Sequence, residues 1–386
     1  MADVYELVKE IEEDLKETVK DVSFNEEIET VPTGIDLFDT ILGGGIPVGK
    51  LILITGSPGG GKTSLAASAI ASLHRNYPNS LALYLDAEQS MSKNRLAELG
   101  VDTDRAILIS QDLTVEKVSQ IIVRATAYRE NKKYKGITDP FFVVWDSESA
   151  TMTTKQLEAT DDPSKVVGQK SNMLSLTIPK LVNIANKYKM TFIVISQLRD
   201  KISMNPYAGS SPDLKGLGDK RITGGNVMRF HPFQIVYMKP KEDIDIDAYG
   251  FSGVVSEIKL VKNKLFRPNI KINIVLDYIH GYNDFWTREN LIRQSKCIKG
   301  TAWQYLDNCP DIKFRKSEIL NLYNTNELFR AKFDELYIKC KDDLLKSSVL
   351  DTSVIEESIE DDITDEPFTE QEVSSIWLHS IRQSQR

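Results

Sequence analysis

Gly56, Gly61, Lys62 and Thr63 stand at the spacing G-x-x-x-x-G-K-T inside the stretch LILITGSPGGGKTS at 51–64. Glycines let backbone N–H groups close around a phosphate, and a helix that starts at the lysine adds partial positive charge. On this reading Gly56, Ser57, Pro58, Gly59, Gly60, Gly61, Lys62, Thr63 and Ser64 cradle the phosphates of ATP. Lys62 reaches the β- and γ-phosphates, and Thr63 offers its hydroxyl to Mg²⁺. An apolar strand-like run precedes the glycines and an apolar helical run, Leu65 to Leu73, follows them, the context this loop requires. Three more polar residues follow apolar runs: Glu88 in LYLDAEQ, Asp146 in FFVVWDS and Gln197 in FIVISQLRD. Asp146 suits the Mg²⁺ shell, Glu88 suits the orientation or deprotonation of a water, and Gln197 suits contact with the γ-phosphate.

These residues need elements to place them. Leu51–Thr55, Leu81–Leu85, Ile107–Ile109, Phe141–Trp145, Thr191–Ile195 and Gln234–Met238 read as strands, most of them separated by helical patterns. That alternation predicts an α/β fold with a mostly parallel sheet covered on both faces. Function gathers at the carboxyl ends of such strands, where the glycine loop, Glu88, Asp146 and Gln197 all fall. Residues 253–276 read as a hairpin, Val254–Val261 against Ile270–Leu276, with Lys262, Lys264 and Arg267 in its turn.

The expected boundaries are 1–28 for an N-terminal amphipathic helix and linker, 29–283 for the core, 284–348 for a small helical module, and 349–386 for an acidic, disordered tail. In the first of these, Val4, Leu7, Val8, Ile11 and Leu15 share one helix face, which packs on its own domain or on a neighbouring copy. Phe24 is a candidate anchor beside it. Two stretches read as loops, 157–170 and 198–225. They carry Lys165 and Lys170, and Arg199, Lys201, Lys215, Lys220 and Arg221. Cations on loops beside a γ-phosphate suit a polyanion whose binding responds to ATP, and Met204 and Tyr207 could pack against bases.

The net charge of −8 is a property of the tail. Residues 351–372 hold ten acidic side chains and no Lys or Arg, so the preceding body is neutral. An acidic total therefore does not exclude nucleic acid. Three scattered cysteines make neither a disulfide framework nor a zinc site, and point to a reduced, cytoplasmic compartment. Neither a signal peptide nor a bilayer-length apolar run is evident, so no membrane partner is expected.

Taken together, TGIDLFDTILGGGIPVGK, GSPGGGKT, LYLDAEQ, LGVD, FFVVWDS, FIVISQLRDKI, TGGNVMRF and IKLVKNKLFRP, in this order, resemble the RecA-type recombinases over residues 30–345. The likeness is greatest to the UvsX-like strand-exchange proteins of T-even-type bacteriophages. It implies a RecA-like P-loop ATPase core and a DNA-dependent ATPase. Such a protein forms a helical filament on single-stranded DNA and exchanges strands with homologous duplex DNA, in recombination-dependent replication and repair. A mediator and a single-strand-binding protein are further candidate partners, and the host cytoplasm is the place of work for a phage protein. By position, the resemblance makes Glu88 the residue that activates water and Gln197 the γ-phosphate sensor. Lys62, Lys262 and Lys264 complete the catalytic set, the last two acting on the ATP of the adjacent protomer. Arg95 takes the position of the side chain that stacks on adenine, and Arg229 and Phe230 relay between subunits. Gly224, Gly225 and Asn226 join the DNA-binding loops, and the N-terminal helix docks on a neighbour. Two rival readings stay open: a hexameric RecA-fold DNA helicase or motor, and a regulatory ATPase without DNA. Residues 1–28 are short for the collar of a ring, and the long cationic second loop speaks against the regulator.

Overall fold

Apolar runs bounded by Gly, Pro and Asp become strands in the computed structural model, which describes residues 27–131, 138–158, 168–200, 220–244 and 246–356. The expected N-terminal helix and Phe24 lie outside the described residues. The chain divides into two compact units, Met1–Tyr337 and Ile338–Arg386. The residues assigned to a site and described here belong to the first.

That unit begins with β1 (Thr30–Val31), α1 (Asp36–Leu42) and β2 (Ile46–Pro47), where β1 and β2 pair antiparallel. There follow β3 (Leu51–Gly56), α2 (Lys62–Asn76), β4 (Leu81–Asp86), α3 (Lys93–Glu98), β5 (Ala106–Ile109) and α4 (Val115–Glu130). Then come β6 (Phe141–Asp146), α5 (Thr154–Glu158), α6 (Gln169–Tyr188), β7 (Met190–Asp200), β8 (Lys220–Ile222), α7 (Val227–Phe230) and β9 (Gln234–Asp243). All six strands expected from the sequence form one parallel block in the order β9-β3-β7-β6-β4-β5. After the short α8 (Ile246–Tyr249), β10 (Gly253–Asn263), β11 (Lys271–Asp277) and β12 (Gly281–Asn283) extend that sheet antiparallel beyond β9. The expected hairpin is therefore present, with Val254 opposite Leu276.

Strands β3 and β6 are buried at every position, because helical layers cover both faces and no residue is left to face water. On one side Leu53, Leu85, Val143, Trp145 and Phe192 pack with Val118 and Ile122 of α4 and Leu174, Ile178 and Leu181 of α6. Each such side chain contributes about 1.5–3 kcal/mol on burial. Ile52 and Ile54 alternate to the other face, the side on which α2 buries Leu65, Ala66, Ala67, Ala69, Ile70 and Leu73.

One segment and one boundary differ from expectation. The segment after β12 holds α9 (Asp284–Gln294), then β13 (Ile298–Lys299), β14 (Gln304–Leu306) and β15 (Cys309–Phe314) in an antiparallel sheet, and then α10 (Ile319–Thr325). A helical module was expected there; β13 and β14 are too short to display an alternating pattern, and β15, CPDIKF, buries only its two end residues. The last helix, α11 (Glu327–Glu356), runs past the expected boundary at 348, since no Gly or Pro interrupts that stretch.

His74 on α2 is a buried titratable group. Its Nδ1 accepts from the Asp102 N–H at 3.2 Å, and its Nε2 has no partner among the described residues. Burial, with the Arg105 charge adding to it, lowers its pKa from 6.5 to about 4. The unfolded ring binds a proton that the folded ring refuses. Stability linked to His74 is thus complete above pH 6.5 and is lost as the pH falls toward 4. We expect His74→Gln to flatten the fall of melting temperature across that window, measured by thermal denaturation against pH.

Candidate nucleotide site

The loop between β3 and α2 is built for close approach. Gly56 has φ 150°, and a Cβ there would stand 1.8 Å from the Met238 carbonyl oxygen of β9. Gly61, the N-cap of α2, has φ 82°, and a Cβ there would stand 2.3 Å from the Tyr282 hydroxyl and 2.8 Å from Leu276. Strands on one side and β12 on the other thus press the loop into a shape only glycine accepts. Lys62, the first residue of α2, donates to the carbonyls of Gly56 at 3.2 Å and Ser57 at 2.8 Å. Burial lowers its pKa against the pull of Asp146 and Glu88. Its ammonium therefore lies across the loop that the sequence assigns to phosphates.

The strand ends converge as the parallel topology requires. Thr63 Oγ1 donates to Asp146 Oδ2 at 2.8 Å, and the same oxygen accepts from the Tyr84 hydroxyl at 2.7 Å. Asp146 is 1% exposed, and burial raises its pKa above the usual carboxylate range. A hydroxyl and a buried carboxylate side by side are hard oxygen donors that fit Mg²⁺, which binds few protein ligands and keeps waters and phosphates. No cluster of three His, Cys, Asp or Glu side chains that could hold a metal occurs among the described residues. Glu88, two residues past the end of β4, accepts from Ser147 Oγ at 2.6 Å and from Gln197 Nε2 at 3.1 Å. The residues assigned to water activation and to γ-phosphate sensing are therefore in direct contact.

Arg95, on α3, spends its in-plane donors on Glu98 at 2.9 Å and on the carbonyls of Ile279 at 2.8 Å and Tyr278 at 2.6 Å. The turn it grips joins β11 to β12, the two strands whose Leu276 and Tyr282 abut Gly61. Tyr278 is 47% exposed there. This aromatic carries no motif around it, and sequence reasoning passed it over.

Both expected loops are shorter than their sequence limits. Residues 157 and 158 belong to α5, and α6 begins at Gln169. Leu198, Arg199 and Asp200 continue β7 and pair antiparallel with Ile222, Arg221 and Lys220 of β8. The reason is apolar: Leu198 packs against the core and Ile222 is 1% exposed within it. Arg199, Lys220 and Arg221 thus sit on a two-stranded stem, while Lys165, Lys201, Lys215, Met204 and Tyr207 lie outside the described residues. Gly224 and Gly225 form the turn after that stem, and Asn226 directly precedes α7 without a side-chain cap hydrogen bond. Lys170 departs from its expected outward role. Its ammonium donates to the carbonyls of Glu148 at 2.7 Å and Ser149 at 3.0 Å, inside the fold.

Lys262 and Lys264 lie at the other end of the sheet. Lys262 is opposite Ile235 near the start of β9, which is itself opposite Leu53 of β3, whereas Gly56 is opposite Met238, three residues further on. Lys262 donates to the carbonyls of Phe230 at 2.7 Å and Arg229 at 3.3 Å. Lys264 Nζ stands 5.7 Å from the centre of the Phe233 ring, and Lys50 Nζ stands 5.5 Å from the same ring. Burial first, and then the Lys264 charge, lower the pKa of both Lys50 and Lys262. Lys50 directly precedes β3 and was not expected in this cluster.

Residues 4–283 match the family described as RecA N-terminal domain. A protein RecA of Pseudarthrobacter chlorophenolicus is 32% identical over 255 residues, which cover 66% of this chain and 65% of that relative. A protein RecA of Bacteroides thetaiotaomicron is 30% identical over 250 residues, 63% of this chain and 67% of the relative. A protein RecA of Arthrospira platensis is 26% identical over 315 residues, 80% of this chain and 78% of the relative. The chain thus spans less than two thirds of the first of these relatives.

Proposed function

The chain belongs to the RecA N-terminal domain family, and we propose that it is an ATP-dependent DNA recombinase that forms a helical filament on single-stranded DNA and exchanges strands with a homologous duplex. The observation that carries this reading is the separation of two half-sites. Lys62, Thr63, Glu88, Asp146 and Gln197 converge at the carboxyl end of the parallel strands. Lys262 stands three residues, or about 10 Å, down the strands toward their amino end, and Lys264 follows the last paired residue of β10. Cations so placed do not serve the loop of their own chain; they suit the ATP of a neighbouring copy. In this reading Gly56 to Ser64 hold the phosphates and the guanidinium face of Arg95, beside Tyr278, receives the base. Thr63 and Asp146 would hold Mg²⁺, which when bound neutralises charge on the β- and γ-phosphates. Glu88 takes a proton from the attacking water, and Gln197 reports on the γ-phosphate to the stem of the second loop. The cations on and beyond that stem hold the DNA backbone, and base pairing supplies sequence specificity.

Within the family we place the chain with the UvsX-like proteins of T-even-type phages, on the segments quoted above. Its work is then recombination-dependent replication and repair in the host cytoplasm, with a mediator and a single-strand-binding protein as partners. No helix among the described residues is long and apolar enough to cross a membrane.

Self-assembly has a surface to use. Along the outermost parallel strand, β5, lies an apolar cavity of about 570 Å³ lined by Leu81, Leu83, Ile107, Ile109 and Tyr128. Ile107 is 61% and Tyr128 67% exposed. The residues Val4, Leu7, Val8, Ile11 and Leu15 of a neighbouring copy, whose spacing in the sequence predicts one apolar helix face, are the complementary segment. Tyr128→Asp is expected to weaken self-association at least about tenfold, read by sedimentation velocity with ATP and single-stranded DNA.

Joint-molecule formation tests the whole reading. Labelled single-stranded DNA and homologous supercoiled duplex, mixed with the protein, should give a product that needs ATP, Mg²⁺ and homology. Unwinding without homology would favour a motor, and no DNA binding in either nucleotide state would favour a regulator.

A further inference from the structure

Glu148 lies two residues beyond Asp146 and is fully buried, 0% exposed. Its Oε2 accepts from Ser196 at 3.2 Å and from Thr223 at 3.0 Å. Among the described residues its Oε1 accepts no hydrogen bond, but it faces the Lys170 ammonium at 3.2 Å. A buried carboxylate is costly unless an ion pair and hydrogen bonds meet it, and removing one partner strands the other. What distinguishes this pair is where the partners come from. Lys170 is on the first turn of α6, where the first loop ends. Thr223 directly follows β8, where the second loop ends. Ser196 directly precedes Gln197 on β7. The carbonyls of Glu148 and Ser149 take two more bonds from Lys170. Ser149 Oγ then accepts from the Gln197 N–H at 2.7 Å and meets Thr223 Oγ1 at 3.0 Å. The turn after the stem passes beside this carboxylate: a Cβ at Gly224 would stand 3.4 Å from Glu148 Oε1, an ordinary contact, and closer to Met228 and Leu174, at 2.6 Å and 3.1 Å.

We propose that Glu148 is a positioning residue: its buried carboxylate ties the exits of both loops to the strand end that bears Gln197, so that the two loops respond to the nucleotide as one unit. The proposal rests on the recombinase reading. A brace that merely held the fold together would support both nucleotide states equally, whereas a coupling residue sets the difference between them.

The experiment measures the affinity of the full chain for labelled oligothymidylate with a slowly hydrolysed ATP analogue and with ADP. Wild type is expected to bind more tightly with the analogue. Glu148→Gln should lower the ratio of the two affinities about tenfold, with DNA-free hydrolysis within about twofold of wild type. Lys170→Met should lower the ratio similarly, and the double variant no further than either single change. Thr223→Val removes one hydrogen bond and should shift the ratio the same way by less, which keeps the test open should Glu148→Gln not fold. Equal losses in both nucleotide states, or additive losses in the double variant, would overturn the proposal. A wild-type protein whose DNA affinity ignores the nucleotide would overturn the recombinase reading itself. An unchanged ratio in Glu148→Gln beside a responsive wild type overturns this proposal alone.

Discussion

Glu88→Gln is expected to lower DNA-stimulated ATP hydrolysis by about 10²–10⁴-fold, with ATP and single-stranded DNA still bound. The substitution keeps the size and one acceptor oxygen, so the bond from Ser147 Oγ survives it. An amide does not take a proton from water, and that is the step it removes. Because Gln197 donates to the same carboxylate oxygen, the variant also separates two duties. Hydrolysis falls, while the dependence of DNA binding on the nucleotide, carried by Gln197, persists. Steady-state phosphate release and equilibrium DNA binding on one preparation check this. Hydrolysis near the wild-type rate would move the base elsewhere.

Lys262→Ala combined with Lys264→Ala is expected to cost about 10³-fold or more in hydrolysis, the scale of a cation supplied to a γ-phosphate from a neighbouring subunit. The stronger form of this experiment is a mixture. Protomers lacking the two lysines retain Glu88, and protomers carrying Glu88→Gln retain the lysines. Each preparation alone should be inactive, while co-assembly makes some interfaces with both halves intact. Recovered activity on mixing is the expected result, and it should rise with protein concentration. Silence on mixing, with assembly confirmed, would mean that the lysines act within their own chain. The register opposes that outcome, because Lys262 is level with Leu53, three residues before the end of β3, and the phosphate loop follows that end.

Why the parallel strands were legible in the sequence is physical. A strand buried on both faces is mostly apolar, so β3, β4, β6 and the first halves of β7 and β9 are short apolar-rich runs, and the polar residues that follow mark the carboxyl ends of those runs. Asp146 was singled out in that way, and Glu88 and Gln197 among the polar residues that follow Leu85 and Ile195. The stem of the second loop was hidden, because a three-residue ladder between Leu198 and Ile222 leaves no period to detect. Tyr84, Ser147 and Glu148 were hidden for another reason. Their meaning lies in contacts to Asp146, Glu88 and Thr223, and of these only the distant pairings, made by folding, give them a role. Lys170 shows the converse: a cation in a polar stretch reads as a surface charge until the fold turns it onto a buried carboxylate.

The placement of the phosphate loop and of Lys262 toward opposite ends of one sheet carries an arithmetic of its own. On the reading in which the lysines serve a neighbour, assembly is head to tail, and one terminal subunit always lacks a donor of cations. A dimer then has one competent site for two chains, about half the turnover per chain of a long polymer. Specific activity becomes a gauge of length, and fragmentation silences the protein before any subunit unfolds. The two termini are also chemically unlike: one exposes ATP without its cations, the other exposes cations without ATP. Growth and shedding of subunits need not proceed alike at both, and the polymer acquires a direction along the strand that it coats.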